Sequence, residues 1–393
     1  MTDAILALNA GSSSIKFGLF ERRSNGDATP VVRGTLEDVG DAPRLIAKDA
    51  NGGVLEERHW AHGASPGDIM GYTLDWIERH LGEDRLVALG HRIVHGGQTF
   101  QGPVRLDDDT IAAIDRLTPL APLHQPRSLE PIRALRQMRS DLPQVGCFDT
   151  AFHRDLAPVA YRYAIPRHLE SEGIRKYGFH GLSYEYIASR LPDLGIELAR
   201  KRTIVAHLGQ GASLCAMQNG RSLDTTMGFS ALDGLVMGTR CGAIDPGVLL
   251  HLQRVCGMSA DEVENLLYHK SGLLGVSGIS ADMRVLEASH DPHAKQAIEL
   301  FVFHAAREAA ALANTLGGLD VLVFTGGIGE HSPLIRAAVC ERLSWLGVSI
   351  EPASNDRSAH RIDDHAGTVE VRVIPTDEEL VIARQVIACR FDV

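Results

Sequence analysis

Residues Leu8–Phe20 read LNAGSSSIKFGLF. A short apolar run enters Asn-Ala-Gly-Ser-Ser-Ser, and a second apolar run returns as Ile-Lys-Phe-Gly-Leu-Phe. Surface hairpins reverse with two or three residues, most often Asn-Gly or Asp-Gly. This turn holds more hydroxyls and exposed amides than chain reversal requires. Such a turn offers an anion a nest of backbone N–H groups, and its glycine lets a phosphate approach without a Cβ in the way. Asn9 and the serines Ser12 to Ser14 would supply oxygens and amides there, and Lys16 a positive charge.

The pattern recurs. Arg202–Gly220, RTIVAHLGQGASLCAMQNG, is again an apolar strand, a Gly/Ser turn and a returning strand. The likeness lies in pattern more than identity. It implies an internal duplication with two turns facing each other across a cleft. A third turn follows later in the chain. Asp291-Pro292 opens a long amphipathic helix, Gly317-Gly318 ends it, Val321–Phe324 is a strand, and TGGIGEHSP follows. Helix, strand, glycine turn and a Ser332-Pro333 helix start form an α/β nucleotide-site layout. None of the turns fits GxxxxGK[ST], which argues against a P-loop enzyme.

Composition bounds the rest. With 393 residues, two domains are expected. A net charge of −11 argues against nucleic-acid or anionic-membrane partners, which favour basic surfaces. Six cysteines without a CxxC pair fit reduced thiols in a cytosolic protein. The start, MTDAILALNAG, lacks the basic region of a signal peptide, and no apolar run is long enough to span a membrane. A soluble, cytoplasmic protein is expected. Asn25-Gly26-Asp27 and Asn51-Gly52-Gly53 suggest hairpins within 21–66. Ile69–Leu81 has helical periodicity, Leu86–Val94 and Val145–Asp149 read as strands, and a helix capped among Asp107–Asp109 stops before Pro119.

Charged residues gather where strands end. Arg92 in GHRIVHGG and Arg240 in GLVMGTRCG sit beside glycines, and a guanidinium fork suits carboxylate or phosphoryl oxygens. Asp149 and His153 in CFDTAFH, His180 in YGFHGLSY and His207 in HLGQGAS are further candidates. No set of soft ligands accompanies them, so magnesium is the better cation, held by one or two hard oxygens plus phosphates. Asp377, Glu378 and Glu379 follow an apolar strand (Val369–Ile374). They also read as first-turn acids of a terminal helix capped by Thr376.

Taken in order, LNAGSSSIKF, GHRIVHGG, FDTAFH, YGFHGLSY, HLGQGAS, DTTMGFSALDGLVMGTRCGAIDPG, TGGIGE and PTDEEL resemble the acetate kinase family over nearly the whole chain. The resemblance implies an α/β fold: the duplicated actin-like (ribonuclease H-like) ATPase fold, two domains with nucleotide in the interdomain cleft. The domains would be 1–150, joined by a C-terminal helix 380–393, and 151–379, carrying most of the nucleotide site. It implies reversible, magnesium-dependent transfer of the ATP γ-phosphoryl group to acetate, giving acetyl phosphate and ADP, with Mn2+ as a substitute ion and a homodimer as the assembly. Carried over by position, Asn9 and Glu378 would bind the metal. Asp149, His180, Arg240 and Arg92 would be catalytic, with Arg92 also holding the substrate carboxylate. Asp149 is expected to position groups, because acetate is already ionised. Val94, Leu123, Phe179 and Ala231 would line the acyl pocket. Nucleotide would contact Lys16, Ser12, Ser14, His207, Leu208, Gly209, Gln210, Gly211, Asp282, Met283, Arg284, Gly327, Ile328, Gly329, Glu330 and His331.

The sequence departs from the family pattern at five places. Gln210 replaces Asn in HLGNG, Ala231 replaces a pocket-lining Pro, Ala243 replaces Asp, His331 replaces Asn in GIGEN, and Gln125 replaces Asn in LHNP. Ala231 enlarges the acyl pocket, which makes a propionate- or butyrate-preferring kinase the alternative. His331 and Gln210 bear on nucleotide choice. A non-catalytic actin-like nucleotide-binding protein is a third reading, but it has no need for Arg92, Asp149, His180 and Arg240.

Overall fold

The computed structural model describes residues 2–11, 14–23, 27–37, 42–364 and 366–389. Two compact units emerge. The first comprises Met1–Arg154, Gly181–Tyr186 and Asp377–Val393, and the second Asp155–His180 and Ile187–Thr376.

Among the described residues, unit one has strands β1 (Asp3–Ala10), β2 (Ile15–Arg22), β3 (Ala28–Glu37), β4 (Arg44–Asp49), β5 (Val54–His59), β6 (Arg85–Ile93), β7 (Val104–Arg105) and β8 (Gln144–Phe148). They form one sheet in the order β5-β4-β3-β2-β1-β6-β8-β7. β1 to β5 pair antiparallel in succession, while β6 runs parallel to both β1 and β8. The hairpin ribbon expected over 21–66 is therefore present. Its Asn25-Gly26 turn falls outside the described residues.

Strand alternation decides which side chains face which layer. Ala4, Leu6, Leu8 and Ala10 of β1 join Ile69, Leu74 and Ile77 of the helix Pro66–Leu81, and Leu135 of the helix Gln125–Met138, in one core. Ile5 and Ala7 face the other way, toward Leu182 and toward Val381, Ile382 and Val386 of the helix Glu378–Ala388. That helix lies close to the sheet. A Cβ at Gly90 would stand 2.4 Å from Ile382 Cγ2, so β6 accepts only glycine there without a shift. The cap of this helix differs from expectation. Asp377, not Thr376, accepts the Leu380 amide at 3.0 Å, because its longer carboxylate reaches the third helical amide from one position closer.

Among the described residues, unit two has β9 (Thr203–Leu208), β10 (Ala212–Gln218), β11 (Arg221–Thr225), β12 (Val321–Thr325) and β13 (Glu370–Val373), ordered β11-β10-β9-β12-β13. β9 to β11 are antiparallel, and β12 is parallel to β9 and β13. This is the arrangement of β3-β2-β1-β6-β8: three antiparallel strands followed by two parallel ones. The duplication read from the two glycine turns is a duplication of sheet topology. Each turn joins the equivalent pair, β1 to β2 and β9 to β10. The helix Pro292–Leu316 starts at Asp291, whose carboxylate accepts the His293 amide, and ends at Gly317 in the left-handed region.

Candidate functional site

In unit one the chemistry collects at the ends of β1, β6 and β8. Asn9, 8% exposed, donates its amide to Glu378 Oε2 and to Glu379 Oε1, each at 2.8 Å. Arg92 lies on the neighbouring strand β6. Its Nε donates to Asp149 Oδ2 at 3.0 Å, its Nη2 to the same oxygen at 2.6 Å, and its Nη1 to the Ala10 carbonyl at 3.2 Å. Asp149, at the end of β8, is 1% exposed. Burial alone would lower the Arg92 guanidinium, but the charge and hydrogen bonds of Asp149 outweigh it and the net shift is upward. A fully charged guanidinium is thus held in a fixed plane.

Two carboxylates beside Asn9 need counter-charge. Arg33, on β3, forks onto Asp377 and lies 3.9 Å from Glu379. Burial, and then the neighbouring Glu378 charge, push the Glu379 carboxyl up. Lys16 pairs across the strands with Asn9 and is exposed, lining a cavity of about 310 Å³ with Arg33, Thr35 and Glu379. Gly11 N donates to the Ser14 carbonyl at 2.8 Å, closing the first turn. Ser12 lies outside the described residues.

The VHGG segment after β6 is built from the inside. Gln125, fully buried, accepts the His95 N–H at 3.2 Å and donates to the His95 carbonyl at 2.9 Å, as a paired strand would. Gly96 N donates to Thr150 Oγ1 at 3.0 Å. Gln125 is therefore a structural residue that fixes the backbone beside Val94, which is itself buried. Leu123 is half-buried. After β8 the backbone is pinned once more: Gly181 N donates to the Asp149 carbonyl at 2.9 Å, and a Cβ on Gly181 would lie 2.1 Å from that oxygen.

Unit two brings together His180, His207, Gly211, Ala231 and Arg240. His180 adopts the left-handed region, φ 58°, an uncommon conformation for a residue other than glycine. Its Nδ1 meets Ser213 Oγ at 2.8 Å, and its ring stacks on His207 with centroids 4.3 Å apart. A Cβ at Gly211 would lie 3.3 Å from His180 Nε2 and 3.7 Å from Arg240 Nη1, so the turn, the imidazole and the guanidinium converge there. Arg240 Nη1 donates to the Ala231 carbonyl at 2.9 Å. Phe179 is buried.

The other nucleotide candidates divide. The third glycine turn lies against the second: Gly326, φ 77°, approaches the Leu208 backbone so closely that a Cβ would come within 2.8 Å of its carbonyl oxygen. Glu330 turns inward, accepting the Gly326 N–H at 2.9 Å and the Thr376 N–H at 3.1 Å, so its carboxylate braces the turn. Gly327 and His331 are exposed, Ile328 is half-buried and Gly329 is buried. Gln210 Oε1 would lie 2.2 Å from a Cβ on Gly238, and the Ala281 carbonyl 3.2 Å from it, which places the 281–284 segment beside the 209–211 turn. Asp282 caps the short helix Met283–Glu287 and pairs with Arg284, which holds its carboxyl below the usual range, while Met283 is buried.

Arg33, Ser213 and the bracing role of Glu330 escaped the sequence reading, which named Glu379 only among the acids that follow Val369–Ile374.

No group of three or more His, Cys, Asp or Glu side chains fit to hold a metal occurs among the described residues. The Asn9–Glu378 pair is of another kind. Asn9 meets Glu378 through its amide nitrogen and its Oδ1 lies 3.4 Å from Arg92 Nη1, so the two side chains would present paired hard oxygens, the donors magnesium takes when phosphates complete its shell, once the Asn9 amide turns over. No helix among the described residues is long and apolar enough to cross a membrane.

The two duplicated sheets and their residue sets define a two-domain α/β phosphotransferase of the actin-like ATPase type. Residues 4–384 match the profile of the Acetokinase family, and the chain belongs to that family. It is 52% identical to an acetate kinase of Rhodopseudomonas palustris over 98% of both chains. It is 48% identical to an acetate kinase of Nitrobacter hamburgensis, over 99% of this chain and 97% of that one. Among solved structures, a propionate kinase from Francisella tularensis superposes with a TM-score of 0.89 at 38% identity, covering 98% of each chain. An acetate kinase of Porphyromonas gingivalis gives a TM-score of 0.85 at 34% identity, over 98% of this chain and 99% of that one.

Proposed function

We infer that this chain is a kinase acting on acetate: it moves the γ-phosphoryl group of ATP to an acetate oxygen and runs the transfer in reverse. The observation that carries the reading is Arg92, locked in one plane by buried Asp149 beside the hydrogen-bonded pair Asn9–Glu378. A scaffold that only bound nucleotide would have no use for that clamp.

The residues take the following parts. Asp149 takes the Nε/Nη2 edge of Arg92, and Arg92 would hold the acetate carboxylate through its remaining Nη hydrogens. An acetate oxygen attacks the γ-phosphorus as the bond to the ADP oxygen breaks. No proton is removed, because the carboxylate is already ionised at neutral pH. Negative charge spreads over the three equatorial oxygens, so what remains for the protein is positioning and neutralisation. His180, whose Nδ1 meets Ser213 Oγ, would hydrogen-bond those oxygens through Nε2, and Arg240 would neutralise their charge. Lys16, Ser12, Ser14 and the 207–211 turn contact the nucleotide phosphates, while 282–284 and 327–331 hold the nucleoside. Asn9 and Glu378 would hold Mg2+, which supplies neutralisation of the phosphate oxygens when bound. Val94, Leu123, Phe179 and Ala231 line the acyl pocket, and Ala231 favours propionate as a second substrate. We further propose a homodimer, a cytoplasmic location, and the two domains 1–150 with 380–393 and 151–379.

Hydroxylamine trapping of acyl phosphate, with ATP, Mg2+ and acetate, propionate or butyrate in turn, tests this. Hydroxamate with acetate is the expected result. Product only with the longer acids would reassign the substrate, and none with any acid would refute the transfer.

A further inference from the structure

The loop that leaves β11 carries Ala231 and Arg240, and it is tied to the segment that carries Phe179 and His180. The tie is made at Gly228, whose carbonyl accepts the Tyr177 and Gly178 amides at 3.0 and 3.3 Å. One residue on, Phe229 N donates to the Tyr163 hydroxyl oxygen at 2.8 Å. A Cβ on Gly228 would stand 2.4 Å from that hydroxyl and 2.4 Å from Asp233 Oδ2, so the two oxygens close over the glycine. Asp233 Oδ1 also accepts the amide of the next residue, Gly234, at 2.8 Å, which fixes that carboxylate within the loop. Between Phe229 and Arg240 the Ala231 carbonyl holds the guanidinium.

We propose that Tyr163 is a positioning residue for phosphoryl transfer and for acyl selection. Its hydroxyl sets the spacing between the backbone of His180 and the loop of Ala231 and Arg240, and it touches no reacting atom. Burial, and then the facing Asp233 charge, push the phenol up to about 12, so it stays neutral and keeps both its donor and its acceptor. Burial likewise raises the Asp233 carboxyl. A loop held by the phenol at Phe229 and folded on its own carboxylate at Asp233 presents Ala231 and Arg240 at one height. Released from the phenol, it would shift both, and transfer rate and chain-length preference would move together.

The inference rests on the acetate-kinase reading above. Its test is Tyr163→Phe, assayed with acetate and with propionate in the hydroxamate trap alongside wild type. We expect kcat with acetate to fall about tenfold, the rate equivalent of one lost hydrogen bond. The ratio of kcat/KM for propionate over acetate should move by about threefold or more, with KM for ATP unchanged. A merely structural hydroxyl would lower the unfolding midpoint and leave that ratio where it was, which would overturn the inference. If Tyr163→Phe does not fold, Asp233→Asn carries the same expectation for the ratio, and an unmoved ratio there is equally fatal. Wild type that makes no acyl phosphate would sink the reading of the reaction and this inference with it. Active wild type with an indistinguishable Tyr163→Phe would sink the inference alone.

Discussion

Asp149→Asn separates a carboxylate that orients Arg92 from one that only holds the fold. In the structure Asp149 Oδ2 receives Nε at 3.0 Å and Nη2 at 2.6 Å in a site 1% exposed. The amide keeps one acceptor oxygen and turns an NH2 toward a donor. Removing one partner of a buried ion pair costs about 3–5 kcal/mol. The retained oxygen still accepts from a charged donor, worth about 1.5–3 kcal/mol, so the net loss is about 2 kcal/mol. At ~2–4 °C per kcal/mol for a unit of 150–250 residues, the unfolding midpoint should drop by ~4–8 °C. The kinetic effect should be larger and split. With its plane no longer fixed, Arg92 should lose about 100-fold in kcat. KM for acetate should stay level or fall, because the uncompensated cation attracts a carboxylate more strongly. Hydroxamate formation across an acetate series, with calorimetry on the same samples, reads both. A kcat within about twofold of wild type, against the loss of order 10²–10³ that removing such a group brings, would show that Asp149 serves stability only. An unmoved midpoint would deny the buried fork itself.

Other expectations are as direct. Burial holds His91 and His95 near a pKa of about 4, against 6.5 when exposed, so the fold favours their neutral forms. Their stabilisation is full above pH 6.5 and is lost as pH falls toward 4, by about 2 kcal/mol each at pH 5. Urea midpoints at about pH 7.5 and 5 should show it, and His91→Gln should flatten the dependence; an identical slope in the variant refutes the assignment. Gly181→Ala must push its Cβ off the Asp149 carbonyl, 2.1 Å away, and should cost about 1–3 kcal/mol with a matching loss of turnover. A variant as stable and active as wild type would contradict that packing. Ala231→Pro should lower propionate use relative to acetate about tenfold, and an unchanged ratio removes position 231 from the acyl pocket. Glu378→Gln should weaken Mn2+ binding, read by electron paramagnetic resonance without turnover; unaltered binding would remove Glu378 from the metal pair.

What could be read from the chain alone was what is local. Strand, glycine turn and returning strand are contiguous in LNAGSSSIKF and HLGQGAS, so the duplication showed before the sheets did. The caps at Asp291 and Ser332 are equally local, and both form as expected. Pairings across long separations were not legible. Arg92 and Asp149 were each singled out, but their fork depends on β6 and β8 lying side by side. Arg33 is an ordinary strand arginine until the terminal helix brings Asp377 to it across 344 positions. Gln125 stood out only as a departure from a motif, and its purpose appears once its amide is found paired with the His95 backbone. Thr376 and Asp377 are both good caps in sequence, and only geometry chooses between them.

Helix Glu378–Ala388 completes a layer that also holds Ile5, Ala7, Phe20 and Ala88, all from the start of the sequence. While a ribosome is still making what lies between, those apolar groups have no cover from that helix, and Asn9 has neither Glu378 nor Glu379 to bind. The carboxylate that Asn9 binds is thus made 369 positions after it.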